Sequence, residues 1–294
     1  ELTDTVRIYQ DGDLVAEAQH TMGIYADMPR TAGVRANIFQ VQNLKTSALM
    51  IAGLRDDPLS REIAQDQGRA IAQRMALASP QLPSLVKART LHLERFLQQH
   101  GHRYPQVLVL AVGLDPKPVT FARAGQRWFG LDLRDMLRER EERFALARAG
   151  GPSTASFTPV VADFRLDTWD GAVVQAGFSP ELPTFIIAEG LSMYLTRGEL
   201  GGLFQKLRAL TASPETRLWI DHVTSELFDL DVIEVRSFLA AMTRLGEPFV
   251  LGFDDASSVL PGVWAPVESA SAADVLSLVE PVHREYRFSI LRPS

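Results

Sequence analysis

Short apolar runs alternate with longer amphipathic segments in the second half of the chain. The run VLVLA at 107–111 is continuous, as is typical of a strand that is covered on both faces of a parallel sheet. Residues 286–290 alternate between apolar and polar side chains, which predicts a further strand. The other predicted strands are 128–131, 157–161, 184–188 and 217–220.

Helices are predicted between these strands and in the first hundred residues, where apolar positions recur at helical intervals. The predicted helices are 47–54, 62–78, 87–100, 135–149, 196–210 and 232–245. Thr196 followed by Glu199 is the signature of a capping box at the start of one of them. Near the beginning of the chain, Asp11 and Gly12 separate two apolar segments, which predicts a hairpin turn.

The order of these elements predicts an α/β fold. Strands that alternate with helices form a Rossmann-like, doubly wound and mostly parallel sheet with right-handed crossovers. We expect residues 1–100 to form a mainly helical N-terminal cover that contributes to the site, and residues 101–294 to form the core. An insertion is expected around 222–254, and its apolar side chains suit a small organic molecule. They are Phe228, Phe238, Met242, Phe249 and Phe253.

Acidic residues recur where the predicted parallel strands end. In doubly wound sheets the ligand lies outside the carboxyl ends of the strands, near the point where the strand order reverses. Because five strands in succession end at an acid or have one close by, we expect a ligand site at this edge. These acids are Asp115, Asp132, Asp163, Glu189 and Asp221.

The loop after the first parallel strand indicates which ligand the site takes. Gly113 and Asp132 are 19 residues apart, the spacing at which an acid meets the ribose of an adenosine lying across the first strand. A pyrophosphate needs exposed N–H groups at the start of a helix. Pro116 and Pro118 remove two of these groups, and Asp115 would repel an anion. An adenosine ligand without phosphate fits better, and S-adenosyl-L-methionine is the common one.

The runs LAVGLDPK at 110–117 and EGLSMYL at 189–195, both at strand ends, resemble two motifs of the leucine carboxyl methyltransferase family, which includes bacterial polyketide O-methyltransferases of the tetracenomycin type. The run LAVGLDPK at 110–117 keeps the second glycine and the aspartate of the family's L-G-A-G-x-D-[TS]-R. Ala111 stands in place of the first glycine of that pattern, and Lys117 in place of its arginine. The run EGLSMYL at 189–195 matches the family's E-G-[VL]-x-x-Y-L in full.

The resemblance covers about residues 40–255. DFR at 163–165 matches the start of the family's D-[LF]-R-[DE], and the segments at 45–48 and 246–249 resemble its opening helical segment and a late segment. The resemblance implies the class I methyltransferase fold and an enzyme that uses S-adenosyl-L-methionine as its methyl donor.

The resemblance also implies donor-binding roles for four residues near the first two strands. Lys45 and Arg89 would hold the carboxylate of the methyl donor, Arg89 through two parallel hydrogen bonds. Gly113 would lie beneath the donor, and Asp132 would bind its ribose hydroxyls. Lys45 and Arg89 could instead be solvated helix charges.

Further roles follow for residues at the ends of the third and fourth strands. Asp163 would accept a hydrogen bond from the adenine amino group, and the backbone of Phe164 would meet the adenine ring. Glu189 would face the donor's amino group, and Tyr194 would line the reaction pocket as a catalytic residue. Asp163 could instead be a loop cap, and Tyr194 a packing residue.

The chemistry of the acceptor decides whether a base is needed. A carboxylate is already ionised at pH 7, whereas a hydroxyl must lose its proton. His222, directly after the fifth predicted strand, is the histidine best placed to take that proton. We expect O-methylation of a small organic acceptor, a polyketide-like or other secondary metabolite. The alternatives are methyl ester formation on a carboxylate and a binding module without catalysis.

Other enzyme classes fit the motifs less well. Gly190 and Ser192 begin a hydrolase elbow, but Tyr194 stands where that motif requires its second glycine. A nicotinamide-dependent dehydrogenase would share the sheet but needs the glycine-rich phosphate loop that is missing here. His100 and His102 would need a third ligand from elsewhere to hold a metal, so no metal is expected.

Composition and charge narrow the possible partners. A hydrophobic fraction of 46% and a charged fraction of 22% are globular values, and the absence of cysteine excludes disulfides and a thiolate site. A net charge of −6 argues against nucleic acid, and the apolar runs are too short to cross a membrane. The acidic opening residues do not resemble a signal peptide. We expect a cytoplasmic protein with a small-molecule acceptor; the oligomeric state is not indicated.

Overall fold

The computed structural model describes residues 4–10, 13–20, 45–147, 156–164 and 169–294. Two compact units, Glu1–Phe39 and Gln40–Ser294, divide the chain. In the first unit, strand β1 (Asp4–Gln10) pairs antiparallel with β2 (Asp13–His20). The predicted hairpin is confirmed, although its turn at residues 11–12 lies outside the described residues. This part of the chain thus forms strands within a region for which the sequence predicts mainly helix.

A seven-stranded sheet forms the centre of the second unit. Its strands are β3 (Gln106–Leu110), β4 (Arg127–Asp132), β5 (Ser156–Val161), β6 (Thr184–Ala188), β7 (Arg217–Val223), β8 (Trp264–Ser271) and β9 (Tyr286–Pro293). The strand order is β5-β4-β3-β6-β7-β9-β8. Strands β3 to β7 are parallel, and β9 runs antiparallel between β7 and β8. The predicted α/β fold with a doubly wound, mostly parallel sheet is confirmed.

Helices cover the sheet, and the capping box predicted at Thr196 is present at the start of α7. The helices are α1 (45–54), α2 (Pro58–Ala78), α3 (Leu82–His100), α4 (Lys117–Thr120), α5 (Arg134–Leu146), α6 (Trp169–Gln175), α7 (Arg197–Leu210), α8 (Ile233–Arg244), α9 (Ala256–Val259), α10 (Ala272–Leu276) and α11 (Pro281–Glu285). The predicted end of α5 at residue 149 lies outside the described residues. None of the described helices combines the length and the apolar character that crossing a bilayer requires.

The core lies on both faces of the sheet because successive side chains of a strand point to opposite faces. Val107 and Val109 of β3 join a hydrophobic cluster that includes residues of α1, α2, α3 and α8. Leu108 and Leu110 join a second cluster, which includes residues of α6 and α7. Burial on both faces explains the continuous apolar run of this strand. β4 and β6 pair with opposite edges of β3, so the strand order reverses there and a crevice forms at the carboxyl ends of these strands.

Helices α1 and α2 touch through their backbones at two glycines. A Cβ on Gly53 would lie 2.5 Å from the carbonyl oxygen of Gly68, and a Cβ on Gly68 would lie 2.7 Å from that of Leu49. Both distances are shorter than atoms tolerate, so any larger residue at either position would push the helices apart. These glycines fix the position of α1 beside the carboxyl ends of the strands.

Candidate active site

A cavity of about 420 Å³ lies at the carboxyl ends of the central strands. Seven of the residues that the sequence singles out line it, and they come from α3, from the loops after β3, β5 and β6, and from the end of β4. They are Arg89, Gly113, Asp132, Asp163, Phe164, Glu189 and Tyr194. The crevice predicted from the strand order therefore brings together residues that are up to 105 positions apart in the sequence, from 89 to 194.

The loop after β3 has a backbone shape that normally requires glycine. Ala111 has a φ of +49° and Gly113 a φ of +45°, both in the left-handed region. The Gly113 N–H donates to Asp132 Oδ2 at 2.8 Å, and the Leu133 N–H donates to Asp132 Oδ1 at 2.7 Å. Burial outweighs these bonds and raises the pKa of Asp132 to about 6. Ala111 thus adopts a backbone conformation that favours glycine.

Glu189, at the end of β6, is the centre of a buried ion cluster. Its Oε1 lies 2.8 Å from Arg55 Nη2 and 3.0 Å from Arg89 Nε, and its Oε2 lies 2.7 Å from Lys117 Nζ. Burial alone would raise the pKa of Glu189, but the three cations outweigh it and hold this pKa well below its usual value. Glu189 is therefore an anion that resists protonation.

Asp115 and Asp221 complete the cluster, which pairs three cations with three carboxylates. Asp115 Oδ1 lies 3.2 Å from Arg55 Nη1 and 3.1 Å from Lys117 Nζ, whereas its Oδ2 is buried and has no hydrogen-bond partner among the described residues. Asp221 accepts from the Gly190 N–H at 2.7 Å and from the Tyr286 hydroxyl at 2.6 Å. Its Oδ2 also lies 3.4 Å from Arg89 Nη1. Arg89 thus contacts both Asp221 and Glu189.

Arg55 is a cavity residue that the sequence does not reveal. It follows the apolar stretch of α1 directly, and 6% of its surface is exposed. A lone arginine at a helix end is usually a solvated charge, and its partners Asp115 and Glu189 are 60 and 134 positions away. The pairing appears only once the strands are assembled.

Lys45 lies on α1 but does not line the cavity. Its Nζ lies 3.3 Å from Glu139 Oε2 on α5, and the ammonium is partly exposed. The structure brings Arg55, rather than Lys45, to the cation cluster. Lys45, which the resemblance implies as one of the two residues that hold the donor carboxylate, therefore lies outside the cavity.

His222 is also outside the cavity, because β7 is longer than the sequence predicts. The strand continues to Val223, so His222 lies inside it and pairs with Arg287 of β9. The ring is fully buried, with Nδ1 2.8 Å from the Phe253 carbonyl oxygen and Nε2 3.0 Å from Ser289 Oγ. Burial lowers the pKa of His222 to about 4. His222 is thus a packed, hydrogen-bonded histidine away from the cavity, where the sequence predicts a base beside the acceptor.

A smaller apolar cavity of about 30 Å³ adjoins the first and shares Arg89 and Tyr194 with it. Phe238, Met242 and Phe249 of the predicted insertion line it. The Tyr194 and Phe249 rings meet edge to face, with centroids 5.3 Å apart. Two other residues of the predicted apolar set lie elsewhere: Phe253 stacks on His222, and Phe228 is 41% exposed.

Glu247 is the second charged cavity residue to which the sequence assigns no role. It follows α8, and its Oε1 accepts a hydrogen bond from Ser47 Oγ of α1 at 2.8 Å. Burial raises the pKa of Glu247 to about 7, against the opposing effect of that hydrogen bond. The only sequence signal was its place in the segment GEPF at 246–249.

Comparisons with known proteins agree on the class of protein. Residues 42–208 match the family described as leucine carboxyl methyltransferase. A protein of Mycolicibacterium smegmatis named "Putative S-adenosyl-L-methionine-dependent methyltransferase" is 33% identical over 135 residues, 45% of this chain and 41% of that protein. A protein of the same name from Mycolicibacterium paratuberculosis is 32% identical over 165 residues, 55% of this chain and 51% of that protein. The chain thus spans about half the length of these relatives.

Solved structures share the fold at low sequence identity. A DUF574 family protein from Streptomyces avermitilis aligns with a TM-score of 0.56 at 13% identity, covering 84% of this chain and 97% of that one. A structure described as a "putative methyltransferase" from Thermobifida fusca aligns with a TM-score of 0.58 at 15% identity, covering 84% and 94%. The sheet and its flanking helices are those of class I methyltransferases.

Proposed function

The chain belongs to the leucine carboxyl methyltransferase family, and on that premise we propose that it transfers the methyl group of S-adenosyl-L-methionine to the hydroxyl oxygen of a small organic acceptor. The observation that carries this proposal is the cavity at the strand ends. Its lining includes seven residues that are expected to bind the donor or the acceptor. The polyketide-like or secondary-metabolite nature of the acceptor is part of the proposal, as is the cytoplasmic location.

The charge pattern of the cavity supports a donor that carries both an ammonium and a carboxylate group. Asp115 Oδ2 is a buried carboxylate oxygen with no protein partner in the described chain, and it suits the ammonium group. Glu189 lies beside it, with both oxygens paired to cations. Arg89 and Arg55 are the cations of the cavity wall and suit the carboxylate.

The adenosine part of the donor would lie over Gly113, as the resemblance implies. Asp132 would accept hydrogen bonds from the ribose hydroxyls, Asp163 would meet the adenine amino group, and the Phe164 backbone would meet the ring. The left-handed backbone of Ala111 supports this placement, because the loop keeps its glycine-like shape despite the substitution. This observation also favours a working donor site over a binding module that has lost it.

The bound donor supplies an electrophilic methyl group, and the protein's contribution is alignment. When the acceptor oxygen is held in line with the methyl group at near-attack distance, this positioning supplies most of the rate of methyl transfer. Tyr194 and the adjoining apolar cavity would orient the acceptor beside the donor. Carboxyl methylation remains the second candidate, favoured by the description of the matching family.

Calorimetry tests the donor. S-Adenosyl-L-methionine and its demethylated product should bind in the micromolar range, and NAD(H) and ATP should not bind. The reason is the loop after Gly113, where Pro116 and Pro118 leave too few N–H groups for a pyrophosphate. Tight binding of NAD(H) together with no response to the methyl donor would contradict the proposal.

A further inference from the structure

Glu247 differs from the other carboxylates of the cavity in the loop that carries it and in the side chains around it. The chain turns at Gly246 after α8, and the Glu247 N–H donates to the Met242 carbonyl oxygen at 3.1 Å. Three residues later, the Val250 N–H donates to the Met193 carbonyl oxygen at 2.8 Å. The loop that carries Glu247 is thus tied to α8 on one side and to the turn before Tyr194 on the other.

No cation pairs with Glu247 in the part of the chain that the structure describes. Only 9% of its surface is exposed, and its hydrogen-bond partner there is Ser47, which engages Oε1 and leaves Oε2 without a protein partner. Glu189, in the same cavity, contacts three cations within 3.0 Å. The two carboxylates therefore have opposite proton affinities: Glu189 resists protonation, whereas Glu247 can accept a proton near neutral pH.

The groups that face Glu247 are compatible with its accepting a proton near neutral pH. Ser47, from α1, donates the hydrogen bond that lowers its pKa. Tyr194 is close enough for the charge of Glu247 to raise the tyrosine's pKa, although burial raises it more. The arginines of the cavity wall, Arg55 and Arg89, are already paired with the carboxylates of the ion cluster.

We propose that Glu247 is the general base of this protein and that its acceptor is a hydroxyl, a phenol or an alcohol, attached to an apolar body; this rests on the proposed methyl transfer. The acceptor oxygen gives its proton to the Glu247 carboxylate and forms a bond to the methyl carbon. The donor's carbon–sulfur bond breaks, and its electron pair stays on sulfur. A side chain that titrates near the operating pH suits this task.

The same carboxylate disfavours the alternative acceptor. An acceptor carboxylate beside Glu247 would place two anions in a buried space, where like charges repel unless one takes up a proton. The apolar side chains of Phe238, Met242 and Phe249, which line the small cavity beside the main one, would contact one edge of the acceptor's apolar body. His222, buried in β7 with both ring nitrogens engaged, has no part in this step.

Methyl transfer to a ladder of simple acceptors tests the inference. The probes are 4-methylphenol, 4-cyanophenol, 4-nitrophenol and the matching benzoic acids, incubated with methyl-labelled S-adenosyl-L-methionine and assayed for extractable label. Wild-type protein should methylate the phenols. Glu247→Gln should lower kcat for 4-methylphenol by roughly 10²–10⁴-fold and lose much less with 4-nitrophenol above that phenol's own pKa. The exposed carboxylate substitution Glu226→Gln is the matched control and should behave as wild type.

Ser47→Ala separates chemistry from structure. It removes the hydrogen bond that lowers the pKa of Glu247, so the acidic limb of the pH–rate profile should move to higher pH. A purely structural role for Glu247 would leave that limb in place.

Each opposing result has a distinct meaning. Equal turnover of wild type and Glu247→Gln along the whole phenol ladder overturns the inference and leaves the proposed function standing. Methylation of benzoates alone overturns it and favours the carboxyl alternative. If neither series reacts, an infrared titration of wild type minus Glu247→Gln with bound S-adenosyl-L-homocysteine decides: a midpoint near neutral pH supports the inference, and one below about pH 5 overturns it. Calorimetry that detects no S-adenosyl-L-homocysteine binding counts against the proposed function itself.

Discussion

Ala111 has a left-handed backbone that an L-residue with a side chain adopts at a cost of about 1–2 kcal/mol. Replacing it with glycine removes this strain, but the unfolded chain becomes more flexible by about 0.4–1 kcal/mol. Ala111→Gly should therefore raise the free energy of unfolding by somewhat less than about 1 kcal/mol, measured by urea denaturation.

The same substitution in an ordinary helix should have the opposite sign. Ala70 is exposed on α2, and Ala70→Gly should lower the free energy of unfolding by about 1 kcal/mol. If both variants lose stability alike, the backbone of Ala111 is not strained in solution.

Arg89 is buried, and its removal should affect both the fold and donor binding. Only 8% of its surface is exposed, and it contacts Glu189 and Asp221. Removing one partner of a buried ion pair costs about 3–5 kcal/mol, because the other charge is left uncompensated. Arg89→Ala should lose about this much unfolding free energy in urea and should weaken donor binding in calorimetry.

Two further variants show whether the loss of stability and of donor binding in Arg89→Ala comes from its buried ion pairs. Arg89→Lys keeps the charge but not the planar fork, so it should recover part of the stability and less of the donor affinity. Arg61→Ala, with a side chain 60% exposed in its pairing with Asp56, should change stability by no more than about 0.5 kcal/mol. Full donor affinity in Arg89→Ala would remove Arg89 from the donor site.

Single elements show how far the sequence alone reaches. The predicted strand at 184–188 coincides with β6, because a strand buried on both faces reads as one apolar run. β8 is not predicted: Pro266 and Glu268 interrupt its pattern, and most of its middle is exposed at the sheet edge. An edge strand carries less of the hydrophobic pattern from which strands are recognised.

The length of β7 shows how far the candidate site could be predicted from the sequence. The apolar residues end at Ile220, yet pairing with β9 extends the strand to Val223. Asp221 and His222 are therefore strand residues, although their polar character predicts a loop. The acids at strand ends were predictable from residue type and position; Arg55, Ser47 and Glu247 were not, because their partners lie 60 to 200 positions away.

At the scale of the whole molecule, Glu247 and Asp132 should contribute less stability as the pH rises from about 4.5 to about 7, whereas His92 and His222, whose pKa values burial lowers to about 4, should contribute more. Burial raises the pKa of Glu247 from 4.5 to about 7 and that of Asp132 from 3.8 to about 6. Between the unfolded and the folded pKa, each of these carboxyls is ionised in the unfolded chain but still protonated in the folded protein. Its contribution to the free energy of unfolding therefore falls as the pH increases. The contribution of Glu247 is on the order of 3 kcal/mol.

Urea denaturation of wild type and Glu247→Gln at several pH values measures this contribution. The difference in unfolding free energy between them should change across pH 4.5–7 with that sign and then level off. Exposed Glu226→Gln should run parallel to wild type. Parallel curves for wild type and Glu247→Gln would mean that Glu247 titrates normally in the folded protein.

Because Gly53 and Gly68 let α1 contact α2 closely, the proposed base and the proposed donor site both depend on the position of one helix. α1 carries Ser47, which donates to Glu247, and Arg55, which pairs with Glu189, follows its last residue. A shift of α1 that enlarged the proposed acceptor space would also move Arg55 away from Glu189 and from the proposed donor site. New acceptor preferences are therefore expected to arise by drift in α8 and its following loop, at Phe238 and Phe249, where side chains can change without disturbing the donor.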